Sequence, residues 1–513
     1  MTQAAADVIA PDGALPVTQA LSQIQRAYLV GDQGGLELRG PARYYVGCDL
    51  DPARVAGAGE RLRRLVRANV LLRVGVGADL SLSALPVDVA SEVDADVRRV
   101  ADADFDAANA VVRADLTSDA LDFDAWPQFA VVVVESEHRA RLHLVYALWL
   151  MDASVLEVFL AELVGGREDE AVAATELRAA PRVRPRRAAR DERFWRERAA
   201  ALADPAELPL RPAWRQSGRA VSHRMLTIDA PAAQRIERRA REHGLTPALA
   251  YLAAYGFTLG RLGGGGAHTV TVLYAPRAQP VTHDALGNSG NSMPLEVPAT
   301  SEHSFVELAR ALQARYLSQA MHGSLSGAEI ARLGDPGTDP RRLPYPFAFT
   351  ALEVDSQREA RHGFRRRWDE VQLRVPQVLI DHQAVMDADG SARLGFDWRT
   401  DAFDHGFGGD LVAQHAALVA ELAGDPKRWT RRPAPAVARG SVDRRPATAE
   451  DTLQDRVLRT AVAMPDVPAV HDADGTLTYA ELVDRAHEVA RLLLAAGVAP
   501  GDRVAMHLPR GGG

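Results

Sequence analysis

The chain has 513 residues, 47% of them hydrophobic and 25% charged, with a formal net charge of −8. That composition suits a globular protein with several cores, and its acidic balance offers no basic field to draw nucleic acid. The single cysteine, Cys48, excludes an internal disulfide framework and a cysteine-based zinc cluster. Its apolar setting, YYVGCDLD, reads as that of a buried small hydrophobe. The opening MTQAAADVIAPDGALPV has neither a basic region nor a long apolar core, so no signal peptide is expected. No window reaches the roughly 20 apolar residues of a membrane helix. The expected location is cytoplasmic, without membrane or nucleic acid as partner.

From Leu15 to about Ala180 apolar runs alternate with helical patterns. FAVVVVE (129–135) and RLHLVYALWLM (141–151) read as strands, and DPARVAGAGERLRRLVRAN (51–69) as a helix. This is the pattern of a layered α/β or α+β lobe over residues 15–180. PRVRPRRAAR (181–190) reads as a solvated linker. A second lobe follows over 191–429, opening with the polar helix DERFWRERAAAL. APAAQRIERRAREHG (230–244) predicts a helix ending at Gly244, and Thr246 and Pro247 predict the N-cap and first turn of the next. GRLGGGG (260–266) is not a phosphate loop, because no GK[ST] follows and no strand feeds directly into it. Residues 430–451 are rich in Pro, Arg and Ala and read as a second linker, before a new unit at 452–513.

Three polar residues sit oddly in apolar surroundings. VPQVLIDHQAVMDADG (375–390) places Asp381 after a β-branched run, at or near the end of a strand. Acidic residues are depleted in strands, and one flanked by apolar residues must face solvent or find a partner. In YPFAFTALEV (345–354) Thr350 falls within an aromatic strand. In HLVYALWLMDASVLEVFLAEL (143–163) Asp152 ends an apolar strand and opens an apolar helix, where it can cap.

With the text around them, these segments resemble one family. LSQIQRAYLVGDQ (21–33) is similar to the opening motif LTxxQxAYxxGR, NVLLRV (69–74) to HxxLRxV, LDFDAWPQF (121–129) to LDxxxWPxF, and FWRER (194–198) to YWxxR. PQVLIDHQ (376–383) matches PQVxLDHQ almost letter for letter. These are motifs of heterocyclization domains of nonribosomal peptide synthetases. Ordinary condensation domains carry HHxxxDG in the strand–helix turn, where this chain reads ALWLMDA (147–153) without histidine.

The resemblance implies an α+β fold of two chloramphenicol-acetyltransferase-like lobes in a V with a tunnel between them. Phosphopantetheine arms of upstream and downstream peptidyl carrier proteins enter the tunnel from opposite faces, and no metal or free cofactor is bound. It implies amide formation between an acyl thioester and the amine of Cys, Ser or Thr, then cyclodehydration to a thiazoline or oxazoline, within secondary-metabolite biosynthesis of the siderophore kind. By motif position Asp381 and Thr350 are the catalytic candidates. A carboxyl hydrogen-bonded to a hydroxyl can accept and donate protons in turn. Gln383, Ser154 and Tyr28 are motif or tunnel neighbours. Asp152 takes a structural role, paired with Arg277 of LYAPRAQP (273–280) across the lobe boundary.

The sequence also departs from the family. The turn motif DxxxxDxxS has Ala147 in place of its first Asp and Ser154 one place early. Thr350 is followed by Ala351, GDFTS reads GNSGN (287–291), and the opening GR is Gly31-Asp32. A second reading therefore stays open: a catalytically silent domain that docks carrier proteins. LTYAEL (477–482) resembles the first core motif of AMP-forming adenylation domains. The surrounding sequence predicts a hairpin, a helix over about 479–496 and a strand at RVAMHL. That domain's phosphate loop, ribose-binding aspartate and catalytic lysine do not occur in this sequence. Residues 452–513 therefore read as a partial α/β piece of an adenylation domain in cis, without ATP chemistry of its own.

Overall fold

Strong β-formers in short runs build four sheets among the described residues, two of them large. The computed structural model describes residues 15–16, 21, 23–31, 38, 40–77, 80, 82–118, 126–165, 185–212, 214, 220–274, 288, 290–334, 344–432, 453–472 and 475–498. The first sheet has the strand order Phe364–Arg374, Arg43–Leu50, Ala140–Ala147, Phe129–Glu135, Asp96–Arg99. Neighbours run antiparallel except the last pair, which is parallel. Ala58–Ala68 is helical with Ala58, Leu62, Leu65 and Val66 buried. That spacing makes one apolar stripe, and the arginines between take the wet side. Residues 52–54 form a separate 3-10 turn before this helix.

The second sheet has six strands in the order Asn291–Val297, His268–Tyr274, Phe347–Val354, Ile380–Asp387, Ala392–Arg399, Val221–Ile228. Phe347–Val354 runs parallel to both its neighbours, and the other pairs are antiparallel. The helices Ala230–Glu242, Pro247–Leu262, Phe305–Ala320 and Phe407–Gly424 share a core with it. Thr246 caps Pro247–Leu262 by accepting from the N–H of Leu249, as the sequence predicts. That helix is buried from Leu249 to Gly260. It can approach the sheet because Gly256 has no side chain: a Cβ there would lie 2.9 Å from Val297.

Three readings of the sequence change. Pro185–Arg198 is one helix, so residues 185–190 are its first turns rather than linker. Proline is pre-set for the first helical turn, and arginine is a good helix former. The strand beginning at Ala140 stops at Ala147, and Leu148–Leu150 is a turn. Asp381 opens its strand rather than closing it, because Gln377 has φ +62° and the chain turns there.

The strand Phe364–Arg374, which falls within the second lobe by sequence, is an edge strand of the first sheet. Arg141 holds it there, with Nε donating to Asp49 Oδ1 at 2.7 Å and Nη1 to Glu370 Oε1 at 2.8 Å. Val385 of the second sheet belongs to the first core, and Met225, Leu352 and Val354 pack against that core. One face of the second sheet thus looks at the first lobe, and the other at its own helices.

Residues 436–513 form a second unit, distinct from 1–435. It holds the helix Leu453–Ala463, the hairpin Pro468–Asp472/Gly475–Thr478, and the helix Tyr479–Ala495 opened by a Thr478–Glu481 capping box. RVAMHL lies outside the described residues. No described helix is long and apolar enough to cross a membrane.

Candidate active site

The strand Ile380–Asp387 divides its side chains between two environments, as the pleat requires. His382 points into the helical core, where its ring stacks on Phe396 with centroids 4.1 Å apart. Its Nδ1–H donates to the carbonyl of Gly395 at 2.8 Å. Burial pushes its pKa down to about 3, so the ring stays neutral. Asp381, Gln383 and Val385 alternate with it and face the first lobe.

Asp381 is 2% exposed, and neither carboxyl oxygen has a hydrogen-bond partner among the described residues. An unpaired buried charge is costly, so such a group keeps its proton. Burial, with the charge of Asp397 added, pushes its pKa up to about 8. Asp397 faces it across the antiparallel strand pair. Burial raises Asp397 as well, against the pull of His223, whose Nδ1 lies 3.1 Å from Oδ1 of Asp397.

Thr350 lies on the adjacent parallel strand, opposite Gln383, while Ala348 is opposite Asp381. Thr350 therefore shares the face of Asp381, two residues along, and is half-buried. The two make no hydrogen bond, since both oxygens of Asp381 are free of partners. Tyr28 comes from the helix Gln23–Val30 and is buried. Burial raises its hydroxyl pKa, and the charges of Asp381 and Asp152 raise it further. Asp152 directly precedes the helix Ala153–Leu163, and Ser154 lies in that helix's first turn with its side chain outside the described residues. Arg277 lies outside the described residues, so the Asp152–Arg277 pair does too.

The opening motif touches the PQV motif directly. A Cβ on Gly31 would come 2.1 Å from Cγ of Pro376, so only glycine fits there. The N–H of Gln377 donates to the carbonyl of Leu38 at 3.0 Å. Gln25 Nε2 donates to the carbonyl of Trp149 at 2.9 Å, and Asn288 Nδ2 to that of Leu148 at 2.8 Å. The turn before Asp152 is thus gripped from the opening helix and from the second lobe. Reading the sequence missed Gln25, Asn288, Asp397 and His223. Asp397 carried the same signal as Asp381, an acid between Phe396 and Trp398 in a strand.

A narrow cleft with about 10 Å³ of room opens at this place, lined by Asp381, Asp397, Leu373, Val375, Trp398 and Arg399 among others. Its lining combines an apolar wall with the proton-bearing carboxyl of Asp381.

The chain is similar to several known proteins. Residues 181–339 match the model of the Condensation domain, and residues 457–511 that of the AMP-binding enzyme. The chain is 31% identical to phenyloxazoline synthase MbtB of a Mycobacterium species, over 98% of this chain and 44% of the relative. It is 29% identical to pyochelin synthetase PchF of Pseudomonas aeruginosa, over 96% of this chain and 28% of the relative. It spans less than half the length of either. The cyclization-docking bidomain of EpoB from Sorangium cellulosum has the same fold, with a TM-score of 0.66 and 22% identity over 82% of this chain and 85% of that one. The chain is similar to condensation proteins of nonribosomal peptide synthesis. The segment that matches an AMP-binding enzyme follows the Condensation match.

Proposed function

We propose that this chain is the heterocyclizing condensation part of a nonribosomal peptide synthetase. An amine on a carrier-bound Cys, Ser or Thr attacks a carrier-bound acyl thioester; the C–N bond forms and the thiol leaves. The side-chain thiol or hydroxyl then adds to the new amide carbon. The hydroxyl so formed leaves as water, with one proton lost from nitrogen, to give the thiazoline or oxazoline.

The observation that carries this reading is Asp381, a buried carboxyl without partners, protonated near neutral pH and turned toward the first lobe. Water loss needs a proton donor at the departing oxygen, and an acid whose pKa lies near the working pH suits that role. Thr350 shares its face and can hold the reacting group, with Gln383 and Tyr28 as neighbours. The relatives support the reading, since one is a phenyloxazoline synthase. It divides the chain into lobes at 15–180 and 191–429, a linker at 430–451, and an adenylation piece at 452–513. It places phosphopantetheine arms of upstream and downstream carrier proteins at the cleft, with Asp152 and Arg277 as structural partners and the work in the cytoplasm.

The test is mass spectrometry of the carrier-bound product, with Cys, Ser and Thr as acceptors. Loss of one water beyond the amide supports the reading. Neither amide nor ring with any acceptor refutes it in favour of a docking scaffold.

A further inference from the structure

Three side chains stand in one row across the second sheet. Asp381 is paired with Asp397, and Asp397 with His223, at the same level on three neighbouring strands. Paired positions put their side chains on one face, so the row runs from the middle of the sheet to its edge strand. Asp381 and Asp397 are 2% and 3% exposed, and His223 is largely buried. His223 faces two acceptors. Its Nδ1 lies 3.1 Å from Asp397 Oδ1, and its Nε2 lies 3.3 Å from the carbonyl of Trp368, on the crossover strand. A carbonyl cannot donate, and a carboxylate only accepts. With Asp397 ionised, both bonds form together only when each ring nitrogen carries a hydrogen, which makes the imidazolium.

We infer that His223 and Asp397 are positioning residues that hold the proton on Asp381: the imidazolium keeps Asp397 ionised, and that charge one strand over keeps Asp381 in its acid form. Two facing carboxyls cannot both ionise cheaply, so the one that owns a cation takes the charge and the other keeps the proton. Asp397 has the His223 ring within hydrogen-bonding distance and Asp381 has no bonded partner, which sets the order. Burial pulls the His223 pKa down, but Asp397 outweighs it and the net shift is upward, in keeping with this order. The other ionisable groups about Asp381 are Tyr28 from the opening helix, Tyr255 from the helix Pro247–Leu262, and Arg399 in the lining of the cleft. Both tyrosines are raised by burial and stay neutral where Asp381 titrates.

The inference rests on the reading of Asp381 as the proton donor of ring closure, yet it can be tested without substrate. Infrared spectra of the full chain resolve a protonated carboxyl from carboxylates. The parent should show such a band through neutral pH with a midpoint at about 8, and Asp381→Asn should lack it. Asp397→Asn removes the neighbouring charge, so the midpoint should fall by about one pH unit. His223→Gln removes the cation, so the last carboxyl proton should leave at higher pH than in the parent. Opposite shifts from two neighbouring variants are not a signature of general loosening. An unshifted midpoint in Asp397→Asn, or shifts of the same sign in both, overturns the inference, as does a parent without the band. If the spectra behave as stated while no ring forms on carrier-bound substrates, the row stands and the proposed function falls.

Discussion

Asp381 was visible in the sequence as an acid in apolar company, and the structure explains why it is tolerated there. It is tolerated by staying neutral, at a cost that depends on pH. In the unfolded chain an aspartate titrates near 4; in the fold this one titrates at about 8. Between those values the folded protein holds one proton more than the unfolded chain, so stability falls as pH rises through the window and levels off above it. Asp381→Asn lacks that penalty. Its advantage over the parent should grow through the window by about 1.4 kcal/mol per pH unit, as read by chemical denaturation below, within and above it. A constant difference at all three pH values would mean that the carboxyl is not buried as described. Its protonation state was not legible in the sequence, because Asp397 and His223 reach it through strand register from other segments.

Elements were legible where local chemistry decides them. Thr246 and Pro247 start a helix through capping and ring geometry, and Val-rich FAVVVVE makes the strand Phe129–Glu135. The crossover of Phe364–Arg374 into the first sheet was not legible, because it depends on partners more than 200 positions away in sequence. Arg141 is the visible fastening: its side chain is 6% exposed, between Asp49 and a nearly buried Glu370. Arg141→Ala leaves Glu370 without that cation and should cost about 3 kcal/mol in urea unfolding. Arg63→Ala, which breaks pairs with the exposed Glu60 and Asp94, should shift the midpoint far less. Equal midpoints for the two variants would show that the fastening contributes nothing. Gly31 belongs to the same scale: its place in the opening motif follows from contact with Pro376, which no reading of either motif alone reveals.

At the scale of the whole molecule, the two sheets share the work of building the site. The opening helix and the turn come from the first lobe and the site strands from the second sheet, joined by single contacts such as Asn288 to Leu148 and Gly31 to Pro376. The unit at 436–513 is of another kind. Its helix Tyr479–Ala495 buries none of its described residues, and Val489, Leu492 and Leu494 are 55%, 69% and 68% exposed. Apolar surface left open on so small a unit does not sustain a fold. An excised 452–513 peptide should therefore be digested rapidly by a protease that leaves residues 15–432 intact; resistance would contradict this.

The central claim is that Asp381 delivers the proton that lets water leave. Its most direct test is the mass of the carrier-bound product formed by the parent and by Asp381→Ala, side by side, with the same loaded carrier proteins. The amide step depends chiefly on positioning, so the variant should still join the two substrates. The parent product should be lighter than the amide by one water, and the variant should stop at the open amide. A variant that still loses water would show that Asp381 is not the donor.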